Sequence, residues 1–163
     1  MRNLIMQSHI QFHTLKLKDE VQRLVDFGVL RKVNRSEWAC PMFTISKLDK
    51  SLRSLADLRE LNKRMKRKPF PITKNDLLQK LAGFYLATSL DLNMGYYHIV
   101  LTPYASSLCT VALPWGKYKY LRLPMGFCNS PDIFQEKMSE LMFSLEFSRA
   151  YLDDLLIVSK DNI

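Results

Sequence analysis

Ala150-Tyr151-Leu152-Asp153-Asp154-Leu155-Leu156-Ile157-Val158 sets two neighbouring carboxylates inside an otherwise apolar run. Like charges on adjacent residues repel, and flanking apolar strands would desolvate them, so both effects penalise the ionised form. A divalent cation would offset that penalty. An exposed hairpin tip explains the run equally well, because Asp is a favoured turn residue. The run alone leaves both readings open. In either case it predicts a hairpin that carries Asp153 and Asp154.

The totals bound what surrounds this hairpin. A chain of 163 residues suits one domain, or a domain with a smaller appendage, and it is long enough to bury a core. Apolar residues make up 47% and charged residues 25%, a globular balance. No apolar run is long enough to span a bilayer, and the start, Met1-Arg2-Asn3-Leu4-Ile5-Met6, lacks the apolar stretch of a signal peptide. Cys40, Cys109 and Cys128 are odd in number and lack metal-ligand spacing, which predicts a reducing, intracellular setting. Charge is unevenly divided. Residues 1–80 hold 18 Lys/Arg against 8 Asp/Glu, a net of +10, whereas residues 81–163 hold 6 against 8, a net of −2. A basic half joined to a slightly acidic half that carries the carboxylate pair predicts a polyanion gripped beside a cation site. The densest basic run is Lys63-Arg64-Met65-Lys66-Arg67-Lys68, which alone reads more readily as a solvated loop than as a binding patch.

Periodicity places the elements. Leu17, Val21, Leu24 and Val25, with Gly28 as a stop, predict an amphipathic helix between Leu15 and Val29. Two strands, 41–47 and 52–58, flank the turn Leu48-Asp49-Lys50-Ser51. Pro69-Phe70-Pro71 is a stiff break and the candidate boundary after the basic half. Thr73 can cap a helix through Leu77, Leu78 and Leu81, closed by Gly83. Phe84 to Asp91 reads as a buried strand and His98 to Leu101 as another. Residues 108–113 and 117–123 read as a hairpin around Pro114-Trp115-Gly116. Ser130-Pro131 predicts a helix start with Ser130 as N-cap, and Ile133, Phe134, Met138, Leu141, Met142 and Leu145 form its apolar stripe. The order of elements implies an α+β architecture, an antiparallel sheet with packed helices.

Adjacent aspartates cannot by themselves surround two cations, so a third carboxylate from elsewhere is required. Asp91 ends the strand Ala87-Thr88-Ser89-Leu90-Asp91. Alone it reads as a cap for the turn that follows. Beside the Asp153-Asp154 hairpin in one sheet it completes an oxygen-rich site suited to Mg²⁺.

These residues carry a specific resemblance. Tyr151-Leu152-Asp153-Asp154 resembles the Y-x-D-D box of reverse transcriptases, and Ser89-Leu90-Asp91-Leu92 with Gly95-Tyr96 resembles their first-aspartate motif. Leu123-Pro124-Met125-Gly126-Phe127-Cys128-Asn129-Ser130-Pro131, with Phe134-Gln135, is similar to the L-P-x-G…S/A-P…F-Q block. Arg53 with Asp57-Leu58-Arg59-Glu60-Leu61-Asn62 resembles the D-x-R-x-L-N segment of the fingers. Four motifs in order point to the Ty3/gypsy class of LTR retrotransposon polymerases. Gly95-Tyr96-Tyr97-His98-Ile99 departs from the usual G-Y-H-Q-I, and Leu108-Cys109-Thr110-Val111 from the usual K-T-A-F.

The resemblance implies an antiparallel palm sheet with packed helices and a smaller fingers subdomain, without a thumb. Residues 1–27 would be an N-terminal helix region and 28–163 the fingers and partial palm, about 28–71 fingers-like and 72–163 palm-like with part of the fingers. It implies that Asp91, Asp153 and Asp154, with the Leu92 carbonyl, hold two Mg²⁺ ions, with Mn²⁺ as a substitute. Lys47, Arg53, Tyr96, Met125 and Gly126 would contact the incoming nucleotide, and Lys63, Arg64, Lys66, Arg67 and Lys68 the template phosphates. The partners would be an RNA or DNA template with its primer and deoxynucleoside triphosphates, with no membrane. The thumb and RNase H domains would come from a longer polyprotein, in the cytoplasm, a particle or the nucleus. A catalytically inactive nucleic-acid-binding remnant of a retroelement is the rival expectation. A metal-dependent signalling cyclase is a third, and it leaves the fingers and L-P-x-G blocks unexplained.

Overall fold

The computed structural model describes residues 2–46, 52–71 and 83–159. Along the chain the elements are α1 (Arg2–Asp26), β1 (Leu30–Val33), β2 (Cys40–Ser46), β3 (Leu52–Ala56), α2 (Arg59–Asn62), β4 (Leu86–Asp91), a 3₁₀ turn (Gly95–His98), α3 (Pro103–Leu108), β5 (Thr110–Leu113), β6 (Gly116–Tyr120), α4 (Ser130–Met142), β7 (Ser148–Tyr151) and β8 (Asp154–Ser159). They fall into two compact units, residues 1–65 with 99–127 and residues 66–98 with 128–163. The mixture of sheets and helices is the expected α+β class.

The first unit is built on a five-stranded sheet of order β1-β6-β5-β2-β3. The stripe expected on α1 is buried at Leu17, Val21 and Leu24, and Val29, Leu30, Val111, Tyr120 and Leu123 are buried in the same unit. The helix runs further back than Leu15 because neither Pro nor Gly interrupts the chain before Gly28. It stops where expected. Gly28 adopts φ +67°, its N–H donates to the Val25 carbonyl, and the Val29 N–H donates to the Leu24 carbonyl. That pair of bonds is a Schellman cap, which needs a left-handed residue best supplied by glycine. The β2–β3 and β5–β6 hairpins follow the sequence pattern, antiparallel with Thr44 opposite Ser54 and Val111 opposite Tyr118. One pairing does not: β2 and β5 run parallel, Cys40 beside Val111. The expected strand at His98–Leu101 is instead the end of the 3₁₀ turn followed by a single bridge, Val100 to Arg122.

The second unit holds a three-stranded antiparallel sheet, order β4-β8-β7, with α4 packed on β7. Expectation and structure differ in three ways. β4 is exposed along its whole length, whereas β7, the other edge of the sheet, has alternate residues buried where α4 packs on it. Asn129, not Ser130, occupies the N-cap of α4, and it makes no side-chain cap bond. Its side chain is used elsewhere, Oδ1 accepting the Lys68 N–H and Nδ2 donating to the Lys66 carbonyl. On α4, Phe134 and Met138 are buried but Leu141 is 68% exposed. Asp132, in the first turn, accepts the Phe70 N–H at 2.9 Å and pairs with Arg67 Nε at 3.1 Å, which ties the Pro69-Phe70-Pro71 stretch to the helix. The expected helix after Thr73 lies outside the described residues up to Gly83.

Candidate active site

β7 turns into β8 across Leu152 and Asp153, with Tyr151 paired to Asp154. The sharp reversal puts Leu152 at φ +52°, a conformation that non-glycine residues occupy at a cost of roughly 1–3 kcal/mol and only when surroundings enforce it. The enforcing group is Gln135 of α4. Its Oε1 accepts the Leu152 N–H at 2.8 Å and its Nε2 donates to the Ala150 carbonyl at 2.9 Å. Gln135 is buried, so the amide grips the turn from the core side and fixes where the two carboxylates start. The sequence did not single out this role. The available signal was a polar residue on the same helical face as Phe134 and Met138, since buried polar groups are the informative exceptions.

Asp91 lies directly opposite Asp154 at the end of the β4–β8 ladder. The Leu92 N–H donates to the Asp153 carbonyl at 2.9 Å, which closes the ladder onto the turn. Carboxylates from chain segments far apart in sequence therefore share one register position, with Asp153 next to it. Directly opposed like charges repel. Asp91 and Asp154 are exposed and Asp153 is half-buried, so the expected desolvation by flanking apolar strands does not reach Asp91 and Asp154. Oδ1 of Asp153 is shielded from solvent. The Leu92 carbonyl accepts the Gly95 N–H at 3.2 Å, which leaves its second lone pair for another partner. Among the described residues no three His, Cys, Asp or Glu side chains are gathered into a ready-made metal cage. The donor chemistry, carboxylates and a carbonyl, nevertheless fits a hard divalent ion such as Mg²⁺.

Tyr96 follows in the 3₁₀ turn. Its ring packs on Phe134 with centroids 5.0 Å apart, and a Cβ at Gly95 would meet Phe134 Cζ at 2.8 Å. Glycine is required there for close approach. Burial, with the negative charge of Asp153, raises the Tyr96 phenol pKa above its ordinary value. The phenol stays protonated at neutral pH and can donate beside the carboxylates.

The remaining site residues lie as follows. Met125 and Gly126 belong to the first unit, where the Asn62 side chain donates to the Gly126 carbonyl at 2.8 Å and Gly126 adopts φ +88°. Arg53 is paired with Ile45 in the β2–β3 ladder, and Lys47 lies outside the described residues. Of the basic run, Lys63 pairs with Glu60, Arg64 stacks over Trp38 at 5.2 Å and Arg67 pairs with Asp132. Burial pushes the Cys40 thiol to about 11 and the Cys109 thiol to about 12, so neither is a nucleophile at neutral pH. No helix among the described residues is long and apolar enough to cross a membrane.

The fold is shared with the prototype foamy virus protease–reverse transcriptase. A crystal structure of that protein superposes with a TM-score of 0.83 and 26% identity, over 93% of this chain and 20% of that one. The foamy viral enzyme in complex with an RNA/DNA hybrid shows the same fold, with a TM-score of 0.78 at 22% identity over 91% of this chain and 20% of that one. The family described as reverse transcriptase (RNA-dependent DNA polymerase) matches residues 44–162, and the chain belongs to it. A retrovirus-related Pol polyprotein from transposon 297 of Drosophila melanogaster is 29% identical over 156 residues. That match covers 91% of this chain and 15% of the polyprotein, so the chain spans less than a quarter of the length of this relative.

Proposed function

We propose that this chain carries the nucleotidyl-transfer centre of an RNA-directed DNA polymerase from a retrotransposon polyprotein. The observation that carries the reading is the pairing of Asp91 with Asp154, one residue from Asp153, at a turn held by Gln135. Asp91, Asp153, Asp154 and the Leu92 carbonyl would hold two Mg²⁺ ions, or Mn²⁺ in their place. Such ions, when bound, lower the pKa of a hydroxyl nucleophile and neutralise charge on a transferring phosphoryl group.

The chain's own residues supply positioning, which is most of what phosphoryl transfer asks of a protein. Asp91 and Asp154, opposed across the ladder, would hold the cations at one end of the β4–β8 pair. Tyr96, backed by Phe134, presents a rigid face beside this focus that would exclude a 2′-hydroxyl. Lys47 and Arg53 would grip the triphosphate, Arg53 through its forked donors. Met125 and Gly126 would line the nucleotide, with Gly126 allowing close backbone approach. Lys63, Arg64, Lys66, Arg67 and Lys68 would meet template phosphates. The partners would be a primed RNA or DNA template and deoxynucleoside triphosphates inside the cell, with further domains of the polyprotein.

The test is extension of a DNA primer on an RNA template with Mg²⁺ and deoxynucleotides, wild type against Asp153→Asn. Elongation that vanishes in the variant supports the reading. Template binding without elongation, in this chain and in a longer one carrying the same centre, replaces it with a non-catalytic nucleic-acid-binding remnant.

A further inference from the structure

Gln135 holds the carboxylate turn, and the residue before it on α4 reaches the other half of the site. Phe134 is buried, and its ring meets the 3₁₀ turn at two points. A Cβ on Gly95 would come within 2.8 Å of Phe134 Cζ, so the backbone of the turn lies directly against the tip of the ring. The second point is the Tyr96 ring, with centroids 5.0 Å apart and planes tilted by 41°. Tilted aromatic pairs have a preferred separation and orientation, unlike contacts between aliphatic chains. One side chain thus sets both the level of the turn and the attitude of the Tyr96 ring. Consecutive helical residues project about 100° apart. Phe134 therefore addresses the 3₁₀ turn while Gln135 addresses the β7–β8 turn, bonding to the Leu152 N–H and the Ala150 carbonyl. The aromatic ring and the carboxylates share α4 as their common base.

We infer that Phe134 is a positioning residue for sugar discrimination: it holds Tyr96 at the level where a 2′-hydroxyl is excluded, whereas Gln135 governs the rate with either sugar. The inference rests on the reading of Tyr96 as the face that meets the nucleotide sugar. Phe134 itself touches the turn and not the nucleotide. A smaller residue at 134 leaves a space beneath Tyr96, and protein interiors close such spaces by partial relaxation of their lining. Tyr96 then sinks toward α4 and gives the sugar room for a further hydroxyl. No group in contact with the nucleotide is added or removed, so selectivity changes through geometry alone. The division of labour follows from the helix: residue 134 supports the ring, and residue 135 supports the carboxylates.

The test is single-nucleotide addition to a primed template with Mg²⁺, comparing kcat/KM for a deoxynucleoside triphosphate and for the matching ribonucleoside triphosphate. Phe134→Ala should lower the deoxy-over-ribo ratio about tenfold, the scale expected when a pocket gains room for one small group. The larger part of that change should be a gain with the ribonucleotide, which a general loss of structure would not produce. Phe134→Leu should shift the ratio the same way by a smaller factor, and it covers the case in which the alanine variant fails to fold. Gln135→Met should slow both sugars alike and leave the ratio where it was. Phe134→Ala added to Tyr96→Val should change the ratio little beyond Tyr96→Val alone, because one residue acts through the other. Relaxed selectivity in Tyr96→Val with an unchanged ratio in the folded Phe134 variants overturns the inference and leaves the reading of Tyr96 standing. Fully additive losses in the double variant also overturn it. An unchanged ratio in Tyr96→Val overturns the reading of Tyr96 and this inference with it. A wild type that adds neither nucleotide, in this chain and in a longer one carrying the same centre, removes the polymerase reading and the inference together.

Discussion

Gln135→Met is the most informative single substitution outside the carboxylates. Methionine keeps the length and much of the shape of glutamine, so the core position stays filled, but both hydrogen bonds to the β7–β8 turn disappear. They are the 2.8 Å bond from the Leu152 N–H and the 2.9 Å bond to the Ala150 carbonyl. A buried backbone group left without its partner costs about 1–3 kcal/mol. Leu152 is only half-buried and its N–H can recruit water, so the two losses together should come to about 2–4 kcal/mol. With a urea slope of about 2 kcal/mol/M, the midpoint should fall by roughly 1–2 M at unchanged slope. A second consequence separates positioning from mere stability. Without the amide, nothing on the α4 side holds Leu152 at positive φ, and Asp153 and Asp154 lose their fixed origin. At a temperature where both proteins are fully folded, primer extension should fall tenfold or more while template binding is unchanged. A midpoint shift below about 0.3 M together with wild-type extension would refute the reasoning.

Other perturbations follow from the same geometry. Gly95→Ala forces a Cβ to within 2.8 Å of Phe134 Cζ, and overpacking of this kind costs about 1–3 kcal/mol, visible as a lower melting temperature. Asn62→Ala removes the bond to the Gly126 carbonyl and should cost about 1 kcal/mol in chemical denaturation; no change would mean the bond is not formed in solution. Asp132 carries a pH signature. Burial opposes its ionisation, but the Phe70 N–H and the Arg67 guanidinium outweigh burial and hold its pKa below the ordinary carboxylate value. Its contribution is therefore fully present above the unfolded value near pH 4 and is lost as pH falls through the lower folded value. Asp132→Asn should flatten the acid limb of the stability profile below about pH 4, and an unaltered limb would contradict the assignment.

Local chemistry was legible in the sequence, and distant pairing was not. The stop at Gly28, the hairpins around Pro114-Trp115 and Leu152-Asp153, and the helix after Pro131 are written in short-range signals, and each is present. Asp91 was brought to the carboxylate pair by motif, and the ladder places it directly opposite Asp154. The parallel pairing of β2 with β5 depends on residues about seventy apart in sequence, for which periodicity holds no information. Apolar composition marks β4 as a strand but is silent on which strand α4 covers, so its burial was overestimated. Gln135 was named only within the F-Q block and given no role, because the helical stripe was read from apolar residues alone. The basic run shows its charges in sequence but not Glu60, Trp38 and Asp132, which fold against three of them.

On the proposed reading, Asp91 and the Asp153-Asp154 turn form one catalytic centre across the β4–β8 ladder. The most direct test is Mg²⁺-dependent addition of a single deoxynucleotide to a DNA primer on an RNA template, wild type against Asp91→Asn, with folding of both checked by circular dichroism. Addition is expected from the wild type and none from the variant, with a melting temperature in the variant that is equal or higher because a repulsive pair has been relieved. Wild-type rates of addition by folded Asp91→Asn would contradict it.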